Sequence, residues 1–134
     1  MNFMNVDLEL TSARELGWFI EAVRASTYAL HSVVVDGSHR ATLELRDVVA
    51  DDAESVLERF SELIEGLDDD AREKWRQIET KAFDIGIQSS ARKHQLNEKI
   101  SVKTLARVVA LGAELHITVY EPDQDDAPGD SATA

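Results

Sequence analysis

Short segments in which apolar and polar residues alternate predict β-strands with one apolar side. Such alternation occurs over residues 4–10, 83–87 and 114–120. The residues expected to face inward are Met4, Val6, Leu8, Leu10, Phe83, Ile85, Ile87, Leu115, Ile117 and Val119. Strands buried on both faces would be apolar throughout, so we expect a sheet that helices cover on one face only.

A β-hairpin is predicted where Asp36 and Gly37 separate two β-rich runs, residues 27–35 and 38–47. An Asp-Gly pair favours a two-residue turn, because both central residues of that turn need positive φ angles. Such a turn fixes the register of the two strands. The expected cross-strand pairs are Tyr28 with Leu45, Leu30 with Leu43, His31 with Thr42, and Val34 with His39.

Apolar residues at helical spacing predict four helices. Their expected N-terminal signals are Ser12 with Glu15 in a capping box, Asp51 or Asp52, the acidic run 68–70, and Ser101. The first two helices are expected over residues 12–25 and 51–65, and Gly66 and Gly112 are expected to end the second and fourth. The residues expected to anchor the last two helices are Trp75, Ile78, Leu105, Val108 and Val109.

The predicted element order, β-α-β-β-α-α-β-α-β, indicates an α+β fold. With one apolar side on every strand, we expect a two-layer sandwich with a mostly antiparallel or mixed sheet and helices on one face. The order is related to that of ferredoxin-like folds, with an added unit. We expect residues 1–120 to form this single domain and residues 121–134, which hold both prolines, to be a disordered acidic tail.

Composition narrows the classes of function. The 134 residues include 14 Lys and Arg against 26 Asp and Glu, so the net charge is −12 and the pI is about 4.6. This acidity argues against nucleic-acid binding, and no apolar run approaches the ~20 residues that span a bilayer. The absence of cysteine excludes disulfides and thiol chemistry. Because no signal peptide opens the chain, we expect a cytoplasmic protein.

No pattern in the sequence predicts catalysis or a bound cofactor. The chain has no nucleophile elbow, P-loop, dinucleotide-binding glycine pattern or zinc-protease helix. Its four histidines do not have the spacing of metal ligands. Asp7 and Glu9 project from the same side of the first strand, where two carboxylates could raise each other's pKa or hold a cation, but a solvated strand face is the favoured explanation. We therefore expect a non-enzymatic protein without a metal site or cofactor.

A basic segment, residues 88–107, is the first candidate binding site in this acidic chain. Its candidate ligand-binding residues are Ser90, Arg92, Lys93, His94, Ser101 and Lys103. Ser101 is expected at a helix N-terminus, where free backbone N–H groups favour anions. The alternative is that the segment neutralises the acidic helices of residues 51–80, or is solvated.

The sheet face that no helix covers is the second candidate site. Its candidate interface residues are His31, Val33, Val35, His116 and Tyr120. Large, partly apolar faces are often interfaces, so we expect a protein partner or self-association. The expected function is to bind and neutralise a basic protein by charge complementarity, as toxin-neutralising immunity proteins do, with residues 51–80 supplying the charge. The alternative is a binder or sensor of small anions that uses residues 88–107.

The C-terminal half of the domain resembles a bacterial family of unknown function. The features that carry the resemblance are the segment from Phe83 to Gln88, the helix capped by Ser101, the turn Leu111-Gly112-Ala113, and the closing strand that ends in Tyr120. They are similar to domain-of-unknown-function family 4279, over roughly residues 65–120. That family has no established activity, so the resemblance implies a fold and no function.

Overall fold

A computed structural model of the chain describes residues 2–47, 52–90 and 95–122. Within these residues, the predicted element order is confirmed: β1 (Asn2–Ser12), α1 (Gly17–Ala22), β2 (Thr27–Val35), β3 (Ser38–Leu45), α2 (Ala53–Glu65), α3 (Asp69–Arg76), β4 (Thr80–Gln88), α4 (Val102–Ala110) and β5 (Glu114–Tyr120). The predicted acidic tail, residues 121–134, lies outside the described residues from 123 onwards.

The strands form one sheet in the order β2-β3-β1-β4-β5. Neighbouring strands are antiparallel except β4 and β5, which are parallel and joined through α4. The first four strands therefore have the split β-α-β arrangement of a ferredoxin-like sheet, and α4 with β5 forms the added unit.

The core lies between the helices and one face of the central strands β3, β1 and β4. Its largest fully buried side chains include Phe19, Phe60, Phe83, Leu8, Leu10, Leu43, Leu57 and Ile64. Phe60 of α2 and Phe83 of β4 have ring centroids 5.5 Å apart, and Phe19 of α1 lies 5.3 Å from Trp75 of α3. Helices that bury one face of a mixed sheet confirm the predicted α+β sandwich.

The predicted start of the first helix is wrong, because β1 continues through Ser12. Ser12 pairs with His39 of β3, and its hydroxyl accepts a hydrogen bond from the Arg14 backbone N–H at 3.1 Å. The helix itself begins at Gly17 without a side-chain cap. Pairing along the sheet has therefore outweighed the local capping pattern of Ser12 and Glu15.

The hairpin has the predicted turn, with positive φ angles of 51° at Asp36 and 77° at Gly37. The pairs His31–Thr42 and Val34–His39 are confirmed, but the register shifts at a β-bulge between Ala29 and His31. Beyond the bulge the pairs are Ala29–Leu43, Tyr28–Glu44 and Thr27–Leu45, so the predicted pairs Tyr28–Leu45 and Leu30–Leu43 are wrong. The buried hydroxyl of Thr27 donates to the Val23 carbonyl at 3.0 Å, which holds Thr27 on the side of the helices.

The helix α4 packs beside α2, and it leaves part of β5 uncovered. Thr104, Val108 and Leu111 are buried, whereas the predicted core residues Leu105 and Val109 are exposed. Ile117 and Val119 face the helix side in register with Ile85 and Ile87, but they remain 67% and 53% exposed. The bidentate pair between Arg107 and Glu65, with N–O distances of 3.0 and 2.8 Å, ties α4 to α2 rather than over β5.

Lys81 is a buried lysine that caps the C-terminus of α3. Its Nζ donates to the carbonyl oxygens of Trp75 at 3.2 Å and Ile78 at 3.1 Å, and it lies 5.5 Å from the centroid of the Trp75 ring. Burial lowers the pKa of Lys81. A cation at this position satisfies carbonyl groups that the end of a helix leaves without partners.

Candidate functional site

The sheet face that points away from the helices, called the open face below, is the candidate site. The predicted interface residues lie on it: His31, Val33 and Val35 on β2, and His116 and Tyr120 on β5. All five side chains are exposed. They occupy the two edge strands, with the three central strands between them.

Four carboxylates from the central strands form the carboxylate cluster: Asp7, Glu9, Glu44 and Asp84. Asp7 of β1 is directly opposite Asp84 of β4, and like charges at opposed positions destabilise a sheet. Burial, which is the largest cause, and the charges of Glu44, Asp84 and Glu9 together raise the pKa of Asp7 to about 6. Asp7 is therefore a carboxylate that the fold keeps charged at neutral pH at a cost.

Glu9 and Asp84 lie next to each other within the cluster. The pKa of Glu9 is raised by burial, by a hydrogen bond with Asp84 and by the charge of Asp84, and the nearby His116 opposes this rise. Thr118 of β5 donates its hydroxyl hydrogen to Asp84, with its oxygen 2.8 and 3.0 Å from the two carboxylate oxygens. His116 Nε2 is also 2.9 Å from a carboxylate oxygen of Glu114. The strand β5 thus fixes one side of the cluster.

Within the described residues, no lysine or arginine forms an ion pair with the carboxylate cluster. Asn5 donates from Nδ2 to Glu44 at 3.1 Å, but its own Oδ1 is buried without a hydrogen-bond partner. Buried acceptors normally have donors. The centre of the open face therefore presents acceptors in excess of the donors that this part of the chain supplies.

Aromatic side chains lie on both sides of the carboxylate cluster. The ring of Tyr120 lies over Gly86, where an added Cβ would be 3.5 Å from it, so the glycine permits the ring to approach the sheet. On β2, the ring of Tyr28 is covered by the Arg46 guanidinium, 4.2 Å from the ring centroid. A glycine within a strand often marks a close approach by another group, and at Gly86 that group is the Tyr120 ring.

The predicted anion-binding residues are only partly described, because Arg92, Lys93 and His94 lie outside the described residues. Ser90 is half-buried, and Lys103 is exposed on α4. Ser101 is the N-cap of α4, as predicted, and its backbone N–H donates to the Glu54 carboxylate of α2. That carboxylate already occupies the place where an anion was expected.

The N-termini of α2 and α4 are capped reciprocally. Glu54, in the first turn of α2, accepts from Ser101 at the start of α4. Glu98, in the segment that precedes α4, accepts from the backbone N–H of Ala53 at the start of α2, at 2.8 Å. The hydrogen bonds from Ser101 lower the pKa of Glu54. A glutamate carboxylate of the chain itself therefore accepts a backbone hydrogen bond at the start of each helix.

Sequence reasoning singled out Asp7 and Glu9 but missed Glu44 and Asp84. Both missed residues occupy polar positions of alternating strands, which the sequence shows. What it does not show is that β1 lies between β3 and β4, and this strand order brings the four carboxylates together.

In the described part of the chain, no group of three or more His, Asp or Glu side chains is arranged to hold a metal ion. Among the same residues, no helix is long and apolar enough to cross a bilayer. No family model, curated protein or solved structure matches the chain. The resemblance to family 4279 stays a prediction.

Proposed function

We propose that this protein binds a basic protein partner on its open face and acts by binding rather than by catalysis. The observation that carries the proposal is Asp7, a half-buried carboxylate with a pKa of about 6 among three other carboxylates. An incoming lysine or arginine within ~4–6 Å favours the charged form of such a group. A cationic partner therefore gains affinity by removing a repulsion that the free protein contains.

Arginine or lysine fits the cluster better than a simple metal ion, because no three of the described His, Asp or Glu side chains are arranged to hold a metal. A guanidinium supplies several N–H donors in a plane and binds carboxylates in a bidentate manner. The exposed residues Tyr28, Val33 and Tyr120 give apolar contact around this polar centre, as is usual in protein interfaces.

The acidic helices are a less suitable docking surface than the open face. Their carboxylates are largely engaged: Asp52 and Asp68 cap helices, and Glu62, Asp70 and Glu73 pair with neighbouring Arg or Lys side chains. Such pairs are exposed and already compensated in charge. We therefore place the basic partner on the carboxylate cluster, and not on residues 51–80 as the charge distribution in the sequence suggests.

We propose that this binding neutralises a basic protein, as toxin-neutralising immunity proteins do. Covering basic groups of a partner with a rigid acidic sheet would block the surface that the partner uses. The proposed partner is a protein, because the open face spans five strands and has apolar margins as well as charge.

The test is a comparison of two variants that lose the same charge. Asp7→Asn combined with Asp84→Asn removes two carboxylates of the cluster, and Glu58→Gln combined with Glu62→Gln removes two from α2. A lysine- and arginine-rich peptide is titrated into isotopically labelled protein, and amide shifts are followed by NMR at low and moderate salt. We expect shifts on β1, β3 and β4 that the first variant loses and the second retains.

Two results would refute the proposal. One is that the peptide shifts the amides of α2 and α3 while the open face is unchanged. The other is that both variants lose binding equally, which would show a dependence on net charge alone. A native partner identified later must show the same ranking of the two variants.

The alternative function, binding of a small anion at residues 88–107, has no supporting observation among the described residues. The backbone N–H of Ser101 is occupied by Glu54, and Arg107 is paired with Glu65.

A further inference from the structure

The edge strand β2 has few of the usual features that prevent edge strands from pairing with another chain. Its nine residues include no proline and no charged side chain. Among the described residues, no helix covers it, since every residue of β2 after Thr27 is exposed. Natural proteins normally protect such edges with charges, prolines, bulges or covering elements. Within the part of the chain that the structure describes, the only protection on β2 is the bulge at Leu30, so residues 31–35 form a regular and open edge.

We propose that β2 pairs antiparallel with β2 of a second copy of this chain, so that two five-stranded sheets join into one of ten strands. This proposal concerns the edge of the sheet and does not depend on the partner proposed for the open face. The proposal rests on the position of β2, an uncharged strand at one edge of the sheet of a strongly acidic protein.

The hairpin turn determines which backbone groups of β2 are free to pair. Val35 and Ser38 flank the two-residue turn, so their backbone groups bond to each other across the hairpin. The direction of the backbone groups alternates along a strand. The N–H and C=O groups of Val34 and Ser32 therefore point away from β3 and toward the outer edge.

These groups define a self-complementary register with Val33 on a two-fold axis. Ser32 of each copy then pairs with Val34 of the other, which uses the outward donors and acceptors of both residues. Val33 faces its own counterpart, and His31 faces Val35. A symmetric contact of this kind closes after two copies, whereas pairing β2 with the opposite edge β5 would continue into a fibre.

Charge explains why the second copy would meet this edge. The chain has a net charge of −12, so two copies repel at most of their surfaces. The edge β2 is uncharged, whereas the other edge strand, β5, begins with Glu114 and is followed by Glu121. The apolar residues Tyr28, Leu30, Val33, Val34 and Val35 of β2 are 40–61% exposed, and pairing removes part of this surface from water.

The first experiment measures the oligomeric state of the full chain by sedimentation equilibrium, up to about 100 μM. We expect a monomer–dimer equilibrium for the wild-type protein. Val34→Pro removes only an outward N–H, a change that edge strands tolerate, and it should raise the dimer dissociation constant at least tenfold. A proline at Val109 would break α4, so a matched control needs a different substitution. Val34→Lys and Val109→Lys add the same charge at two exposed valines, one on the edge of β2 and one on α4. Only the change at Val34 should weaken the dimer.

The second experiment tests the register, and the absence of cysteine from the chain makes it direct. Opposed residues that are not hydrogen-bonded to each other have Cα atoms about 4.5 Å apart, which suits a disulfide. Val33→Cys should therefore form a covalent dimer under mild oxidation, while Val109→Cys should not. A wild-type protein that is monomeric throughout this concentration range would overturn the proposal. A dimer that Val34→Pro leaves unchanged, or a Val33→Cys protein that cross-links no faster than Val109→Cys, would equally refute it.

Discussion

Replacing Asp7 with asparagine should stabilise the protein at neutral pH. Asparagine keeps the size of the side chain and removes the charge that burial, Glu44 and Asp84 disfavour. Most substitutions at partly buried polar positions destabilise a protein. A gain at Asp7 would therefore be specific evidence that the carboxylate cluster is strained in the free protein.

The magnitude follows from the pKa of Asp7. A rise from 3.8 to about 6 corresponds to about 3 kcal/mol of unfavourable free energy for the charged form at pH 7. Asp7 is partly exposed, so solvent screening reduces the expected gain to about 1–2 kcal/mol. Because the folded-state pKa lies above the unfolded value, the stability that protonation contributes is complete below pH 3.8 and is lost as pH rises through 6. The gain from Asp7→Asn should therefore be full at pH 7 and almost absent at about pH 4.

The assay is urea unfolding followed by circular dichroism at several pH values between about 4 and 7. Glu15→Gln serves as a control, since it removes an exposed carboxylate outside the cluster and should change the free energy of unfolding by less than about 0.5 kcal/mol. If Asp7→Asn gives no gain at pH 7, or gives the same gain at pH 4 as at pH 7, then the pKa of Asp7 is not raised and the central argument for the open face fails.

Three further substitutions test how the fold positions the site. Lys81→Met should lower the free energy of unfolding by about 1–3 kcal/mol, because it leaves buried carbonyls at the end of α3 without donors; Lys103→Met, at an exposed site, should be nearly neutral in the same urea titration. Glu98→Ala should cost about 1 kcal/mol by freeing the Ala53 N–H, and hydrogen exchange at that amide should rise, so an unchanged exchange rate would argue against this cap. Gly112→Ala should cost about 1 kcal/mol or more, since Gly112 has a φ of 71° and its added Cβ would be 3.4 Å from Lys81 Cε; a melting temperature equal to wild type would contradict the left-handed geometry.

Local patterns were sufficient to predict the elements, and long-range contacts decided where those predictions failed. The turn at Asp36 and Gly37 and the cap at Ser101 depend on a few adjacent residues, and both are confirmed. The capping pattern at Ser12 failed because a distant strand pairs with that residue. The bulge at Leu30 accompanies the tertiary hydrogen bond of Thr27 to Val23, and no local pattern indicates either feature.

The sequence was sufficient to predict the surface on which the candidate site lies, but not the carboxylate cluster at its centre. One apolar side per strand was enough to predict an uncovered face and to place His31 and Tyr120 on it. The cluster around Asp7 required the strand order, because Glu44 and Asp84 are far apart in sequence and meet only when β1 lies between their strands. Lys81 gave no signal either, since a lysine in a strand is ordinarily assigned to solvent.

The exchange of carboxylates between α2 and α4 makes the starts of these two helices interdependent. Withdrawal of the chain around Glu98 would expose the first amide of α2, and it would also separate Ser101 from Glu54. One local opening thus breaks a hydrogen bond at both helix starts. The segment from 95 to 101, which has no regular secondary structure, is therefore held to α2 by two hydrogen bonds, at Glu98 and at Ser101. We expect the two helix starts to open together, in rarer events than independent fraying would give.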